Sequence, residues 1–202
     1  MPFVFKSLAL LLSISALSVG FAADKETPFK AGAAASYASH QSNAQITIGV
    51  DPYVASDKVA TAFGKLNPNQ HGVLPILVVI QNDSDKAIRL DRLKVEYVGP
   101  NHERVESTPA RDVRYLKPPQ RPDAIGGPGG KVKVLKTKKN PLDEWEIEGR
   151  ALSAQMLPPG QSASGFLYFQ AGLQHGATIY LNGLYEAATG KEIFYFELPL
   201  QQ

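Results

Sequence analysis

Apolar and polar residues alternate with a period of two in several short segments of the chain. Ile46, Ile48 and Val50 alternate with polar or small residues, which is the pattern of a half-buried β-strand. The run over 76–80 is apolar at every position and mostly β-branched, which predicts a strand buried on both faces. About seven strands are expected between residue 45 and the C-terminus. The turn residues between them have the spacing of an antiparallel β-sandwich, so the predicted class is mainly β with short helices.

The strongest strand prediction covers residues 73–81 and continues into a turn at 82–85, where Asn, Asp and Ser follow one another. A return strand is expected over 87–98. Its apolar positions change parity halfway, so a β-bulge near residues 91–92 is needed to keep them on one face. These two strands are predicted to form a hairpin.

A second hairpin is predicted from 177–185 and 192–198, in which strict alternation places Phe194, Phe196 and Leu198 on one face. Aromatic residues are concentrated in these last strands: Phe166, Tyr168, Phe169, Tyr180, Tyr185, Phe194, Tyr195 and Phe196. Core packing accounts for such a concentration. The alternative is a tyrosine-lined surface that binds a glycan or a peptide.

Helices are expected to be few and short. Residues 57–63 predict one helix, ended by the left-handed conformation that Gly64 can adopt. A second helix is expected after Asn140, with acidic residues in its first turn and with Trp145 and Ile147 facing the core.

The N-terminus has the pattern of a secretory signal peptide at residues 1–22. Lys6 precedes an apolar run, and Gly20 and Ala22 are small residues at the −3 and −1 positions of a cleavage site. We expect cleavage after Ala22 and a periplasmic or secreted protein with no membrane span after cleavage. Residues 23–43 are expected to be a flexible arm without apolar periodicity, and 44–202 a single β-sandwich domain.

The composition and motifs of the chain exclude several kinds of catalytic and metal site and indicate none. The 202 residues include no cysteine, which excludes disulfides, thiolate metal sites and thiol catalysis. The glycine-rich stretch before Lys131 lacks the spacing of a phosphate-binding loop, and Ser162 lacks the glycines of a nucleophile elbow. The four histidines are isolated from one another: His40, His71, His102 and His175. No catalytic residue, cofactor or metal ligand is therefore assigned.

Two motifs resemble those of exported bacterial immunoglobulin-like modules. The turn Asn82-Asp83-Ser84-Asp85-Lys86 matches the turn that joins two core strands in such modules. The segment Leu157-Pro158-Pro159-Gly160-Gln161-Ser162 matches the one that introduces a later strand. The resemblance covers residues 72–199. It implies an immunoglobulin-like sandwich outside the cytoplasm and a role in binding or assembly, and it assigns no catalytic residue.

Charge is distributed unevenly along a chain that is almost neutral. Residues 110–140 hold nine basic and two acidic residues, a net charge of +7. We expect a disordered basic loop at 117–140. It either keeps the domain soluble or contacts an anionic partner. The candidate partner-binding residues are Arg114, Lys117, Arg121, Lys131, Lys133, Lys136, Lys138 and Lys139.

The sequence therefore predicts an exported, non-enzymatic binding or scaffolding module of the bacterial cell envelope. Its expected partner is an envelope protein, an anionic polymer or a lipid surface. Nucleic acid is not expected outside the cytoplasm, and the basic segment at 110–140 lacks aromatic residues interleaved with its basic ones for base stacking. The alternative is an envelope hydrolase or a protease-inhibitor-like domain that uses loop residues. A histidine and a carboxylate in one cleft would favour that alternative.

Overall fold

A computed structural model describes residues 29–116, 140–143 and 145–200, and also the backbone of two short strands between them. The strands are β1 Ser39–Asn43, β2 Ile46–Pro52, β3 Leu74–Asn82, β4 Ile88–Arg89, β5 Lys94–Val98, β6 Arg104–Glu106, β7 Ala124–Ile125, β8 Lys133–Val134, β9 Met156–Leu157, β10 Ser162–Phe169, β11 Thr178–Asn182, β12 Leu184–Glu186, β13 Glu192–Ile193 and β14 Phe196–Pro199. The helices are α1 Ser56–Phe63, α2 Ala110–Val113 and α3 Trp145–Gly149. The predicted signal peptide lies outside the described residues.

Twelve of these strands form three antiparallel sheets of four, and β7 pairs with β8. We call the sheet with the order β1-β2-β3-β10 the front sheet. The other two have the orders β14-β11-β5-β6 and β13-β12-β4-β9. Their strands follow one another directly along the chain, β4 into β5 and β11 into β12, so we call the two together the back layer. The prediction of a mainly β fold is confirmed.

The core lies between the front sheet and the back layer. Apolar side chains from all three sheets form one buried cluster, with Ile48, Ile76 and Val78 from the front and Tyr97 and Ile179 from the back. Burying each such side chain stabilises the fold by roughly 1.5–3 kcal/mol. The front sheet is buried on its other face as well. This explains why the sequence of β3 is apolar at nearly every position.

A second cluster covers that other face and contains the helices. Phe166 and Tyr168 of β10 pack there against Phe63 of α1, with ring centroids 4.8 and 6.3 Å apart. Ile147 of α3 is buried in the same cluster, as predicted. Trp145 is not, because it is 65% exposed, so the prediction that it faces the core is wrong. Helix α1 ends before Gly64, as expected, but this glycine has a φ of 60° and a ψ of −119°, which is a positive-φ conformation other than the predicted left-handed one.

The predicted hairpin of 73–81 with 87–98 is wrong. Strand β3 pairs with β2 and β10, whereas β4 pairs with β12 and β9, so the turn at 82–86 carries the chain from the front sheet to the back layer. Local turn chemistry cannot distinguish a hairpin from such a crossing, because both need the chain to reverse direction. The second predicted hairpin is confirmed: β11 pairs with β14 and β12 with β13.

Asn82 explains why this crossing is fixed. Its side chain is fully buried, and its amide nitrogen donates to the carbonyl oxygens of Lys86, Leu157 and Pro158 at 2.7, 3.1 and 3.1 Å. Its Oδ1 accepts from the hydroxyl of Ser84 at 2.6 Å. The two sequence motifs that resemble immunoglobulin-like modules therefore meet at one buried amide.

The expected arm at 23–43 needs a correction at its C-terminal end. Ser39–Asn43 form β1, which pairs along its whole length with β2. Edge pairing requires only backbone groups, so a polar strand with little apolar periodicity can still add to a sheet. Phe29 also packs on this body, with its ring centroid 5.3 Å from that of Phe166. Residues 23–28 lie outside the described part.

Candidate functional site

Three adjacent strands of the back layer are interrupted at the same level. The chain turns at 90–93 between β4 and β5, at Gly183 between β11 and β12, and at 194–195 between β13 and β14. Gly183 has a φ of 80°, and a Cβ atom there would overlap the carbonyl oxygen of Arg92 on the neighbouring strand. The turn near residues 91–92 also shifts the alternation of inward and outward side chains by one position, as the apolar pattern of 87–98 requires.

The third interruption exposes two consecutive aromatic residues. Ile193 and Phe196 on either side are buried, whereas Phe194 is 73% and Tyr195 46% exposed. The prediction that Phe194 shares the buried face of Phe196 and Leu198 is therefore wrong. Alternation does not continue through a break in the strand, so both residues point outward. Bulges and breaks of this kind often re-aim side chains next to binding sites.

Phe194 and Tyr195 belong to a cluster on the outer face that we call the aromatic shelf, completed by Tyr180 of β11. The rings of Tyr180 and Tyr195 stack with centroids 5.2 Å apart and an interplanar angle of 30°. Phe194 and Tyr195 lie 5.9 Å apart. Arg104 of β6 places its guanidinium 5.5 Å from the centre of the Tyr180 ring. The shelf is thus packed from one side and open on the other.

Two depressions lie on this face and share Asn182, and the first of them adjoins the shelf. The first has a volume of about 290 Å³ and lies between the shelf and the side chain of Glu192. The second has a volume of about 460 Å³ and is lined by Lys94, Glu96, Glu106 and Ser107, among others. We call the continuous surface that they form the outer groove. It crosses the strands from β13 to β6.

Carboxylates outnumber cations along the outer groove. Arg104 donates to Glu96 at 2.6 Å, and the register places Glu106 directly opposite Glu96. Among the described residues, Glu106, Glu192 and Lys94 have no ion-pair partner. The groove therefore presents polar groups that are available to a ligand, with a slight excess of negative charge.

A second cavity, of about 460 Å³, lies between the chain after α1 and helix α3. His71 and Glu146 both line it, together with Lys65, Asn67 and Gln70. One carboxylate oxygen of Glu146 is buried and has no hydrogen-bond partner. This cavity brings one histidine and one carboxylate together, an arrangement that the isolated histidines of the sequence did not predict. Nowhere in the described part of the chain, this cavity included, do three potential metal ligands lie together.

Of the candidate partner-binding residues, the structure describes the side chain of Arg114 alone. Its guanidinium pairs with Asp143 at 2.9 Å and with Glu148 of α3, and its carbonyl oxygen accepts from the Asn140 side chain at 2.6 Å. These contacts hold the two ends of the basic segment next to each other. Lys133 is described only as backbone in β8. The others lie outside the described residues: Lys117, Arg121, Lys131, Lys136, Lys138 and Lys139.

Comparisons with known proteins give no family. No family model and no curated protein matches the chain. Three solved structures are similar to it. The yjhA protein from Bacillus subtilis has a TM-score of 0.43 and 15% identity, and the match covers 82% of this chain and 98% of that one. The putative ApaA protein from Bordetella pertussis has a TM-score of 0.33 and 12% identity, with 81% and 96% covered, and a functionally unknown protein from Listeria monocytogenes EGD-e has a TM-score of 0.32 and 13% identity, with 79% of each chain covered. The class defined so far is a mainly β protein of antiparallel sheets. None of its described helices is long and apolar enough to cross a membrane.

Proposed function

We propose that the protein is an exported, non-enzymatic binding module of the bacterial cell envelope and that its outer groove is the binding surface. One observation carries the proposal: the break between β13 and β14 turns Phe194 and Tyr195 to the outside together. Leaving a Phe side chain in water forgoes roughly 1.5–3 kcal/mol of burial energy. Contiguous exposed apolar side chains beside polar ones mark contact surfaces more often than they serve the fold.

The finer fold proposal is an immunoglobulin-like sandwich of about seven strands. We treat β4–β5, β11–β12 and β13–β14 as three long strands, corresponding to strands C, F and G of such domains, and β2, β3 and β10 as strands A, B and E. The front order β2-β3-β10 then matches A-B-E, and the back order β14-β11-β5 matches G-F-C. The crossing at Asn82 is then the connection from strand B to strand C. This support is topological and adds to the motif resemblance.

We propose the basic segment as a second, electrostatic contact with an anionic polymer, lipid surface or acidic protein. Its net charge of +7 supports this, as does the clip at its base that joins Arg114 to Asp143.

Cosedimentation with washed envelopes tests the proposal. Residues 23–202 are mixed with envelope fractions at low and high salt. Wild-type protein is expected to be retained at both, because stacking contacts are insensitive to screening. A Phe194→Ser/Tyr195→Ser variant is expected to lose the salt-resistant part, and deletion of 117–139 the salt-sensitive part. Tyr115→Ser is the control for the salt-resistant part. Equal retention of the wild type and the double variant at high salt would contradict the groove as the contact.

An envelope hydrolase is the second candidate function, favoured by the cavity that His71 and Glu146 share. A histidine that accepts a proton beside a carboxylate is a common general-base arrangement. Hydrolysis of chromogenic ester and peptide substrates would support it only if both His71→Ala and Glu146→Gln abolish the activity. Activity that survives either change belongs to a contaminant or to another site.

A further inference from the structure

We infer that the outer groove binds a saccharide chain, either uncharged or carrying amino groups. This inference rests on the proposed function and names its ligand class. It follows from the shape of the aromatic shelf, from the polar groups around it and from the sign of the local charge.

The shelf is a platform and not a slot. A ligand ring held between two aromatic rings needs them about 7 Å apart, twice the usual contact distance of 3.5–4.0 Å. Tyr180 and Tyr195 already stack with centroids 5.2 Å apart, so nothing fits between them. The exposed faces of Tyr195 and Phe194 are therefore the ones open to a ligand, and their planes are inclined at 44° to each other. The flat C–H face of a pyranose ring matches either face, so successive units of a sugar chain can stack on the two rings.

Polar groups lie where the hydroxyl edges of the sugar would be. The carboxamide of Asn182 can both donate and accept, and the carboxylates of Glu192 and Glu106 accept from hydroxyl or ammonium groups. None of these three side chains forms a hydrogen bond to another described residue. Asn182 lies in both depressions, so a chain that starts on the shelf continues past it.

The size of the groove fits an oligomer. It runs across four neighbouring strands, which at about 4.8 Å per strand gives roughly 14 Å. The two depressions measure about 290 and 460 Å³. Together these dimensions exceed one monosaccharide and accommodate a short chain.

Charge and backbone geometry argue against other ligands. The excess of carboxylates repels polyanions, including uronic acid polymers. An extended peptide binds sheets mainly by adding to an edge strand, where free backbone groups are available. The outer groove lies on a sheet face, and the backbone groups of β5 and β11 there are already paired with each other.

The test is a titration of residues 23–202 followed by amide NMR shifts and calorimetry. The probes are hexamers of glucose, mannose, N-acetylglucosamine, glucosamine and galacturonic acid. We expect at least one neutral or amino hexamer to bind and to shift the amides of Asn182 and Glu192, and galacturonate not to bind. Phe194→Ala should weaken binding roughly tenfold or more, as expected for loss of one stacking ring. Tyr115→Ala, an equally exposed aromatic residue outside the groove, should leave it unchanged.

A second variant separates charge from stacking. Glu192→Gln should reduce the affinity for glucosamine hexamer relative to N-acetylglucosamine hexamer while leaving the stacking contact intact. The inference is overturned if no neutral or amino hexamer shifts groove amides, or if galacturonate binds there as well as they do. Should envelope retention still depend on Phe194 in that case, the binding function stands and the ligand is not a saccharide. If retention fails too, both proposals fall.

Discussion

Replacing Asn82 by alanine is the sharpest test of what fixes the two layers relative to each other. The side-chain amide has two hydrogens, which three carbonyl oxygens share, and Oδ1 accepts from Ser84. Removing the amide leaves the buried carbonyl of Leu157 without this donor, a loss of about 1–3 kcal/mol. The remaining, partly buried bonds contribute about 0.5–1.5 kcal/mol each.

The sum predicts that Asn82→Ala lowers the free energy of unfolding by about 3 kcal/mol or more. For a chain of this length a loss of about 3 kcal/mol corresponds to a drop in Tm of about 6–12 °C. Urea unfolding measures the effect, and the m-value should stay constant because the same surface is exposed on unfolding. Asn82→Asp should be at least as damaging at neutral pH, since a carboxylate cannot donate to Lys86 or Leu157.

The matched control is Ser84→Ala, which removes the hydroxyl that donates to Asn82 Oδ1 and leaves the Ser84 N–H as a donor to that oxygen. It should cost about 0.5–1.5 kcal/mol, the range of a single partly buried hydrogen bond. A loss below about 1 kcal/mol in Asn82→Ala, or equal losses in the two variants, would refute the view that this amide joins the layers.

Three further changes have expected outcomes. Gly183→Ala should destabilise the protein severely in thermal unfolding, because the added Cβ overlaps the carbonyl oxygen of Arg92 at a positive φ. Tyr168→Phe should lower the free energy of unfolding in urea by about 1–3 kcal/mol, since it leaves the buried carbonyl of Ile147 without the hydroxyl that donates to it at 2.7 Å. Glu186→Gln should make stability less dependent on acid pH. Hydrogen bonding to Lys86 holds the pKa of the Glu186 carboxyl below its usual 4.5. The ionised carboxylate therefore stabilises the folded protein fully above pH 4.5, and this stabilisation is lost as the pH falls through the lower pKa of the folded state.

Sequence periodicity predicted the strands well and their partners poorly. Val73–Gln81 reads as a buried strand because both faces of β3 are covered, and this burial is visible in the composition alone. The pairing of the following strand depends on the contacts of Asn82 with Leu157 and Pro158, which lie 75 and 76 residues further along the chain. No local pattern contains that contact.

The outer groove was only partly visible from the sequence. The concentration of aromatic residues in the last strands pointed to a surface as an alternative to core packing. Strict alternation, however, assigned Phe194 to the core. The break that exposes it depends on neighbouring strands, because the backbone of Arg92 approaches Gly183 and bends the layer there. The sequence contained two signals of this site. One is Gly183, which lies between two apolar strands, and the other is the adjacent aromatic pair Phe194 and Tyr195.

The most direct test of the central claim is photo-crosslinking in the living cell. A benzophenone amino acid replaces Phe194 in one version of the full-length protein and Tyr115 in another. The account predicts an envelope-derived adduct from position 194 that is absent from position 115 and is displaced by the saccharide that binds best in solution. Identical adducts from the two positions, or none from position 194, would contradict the outer groove as the binding surface.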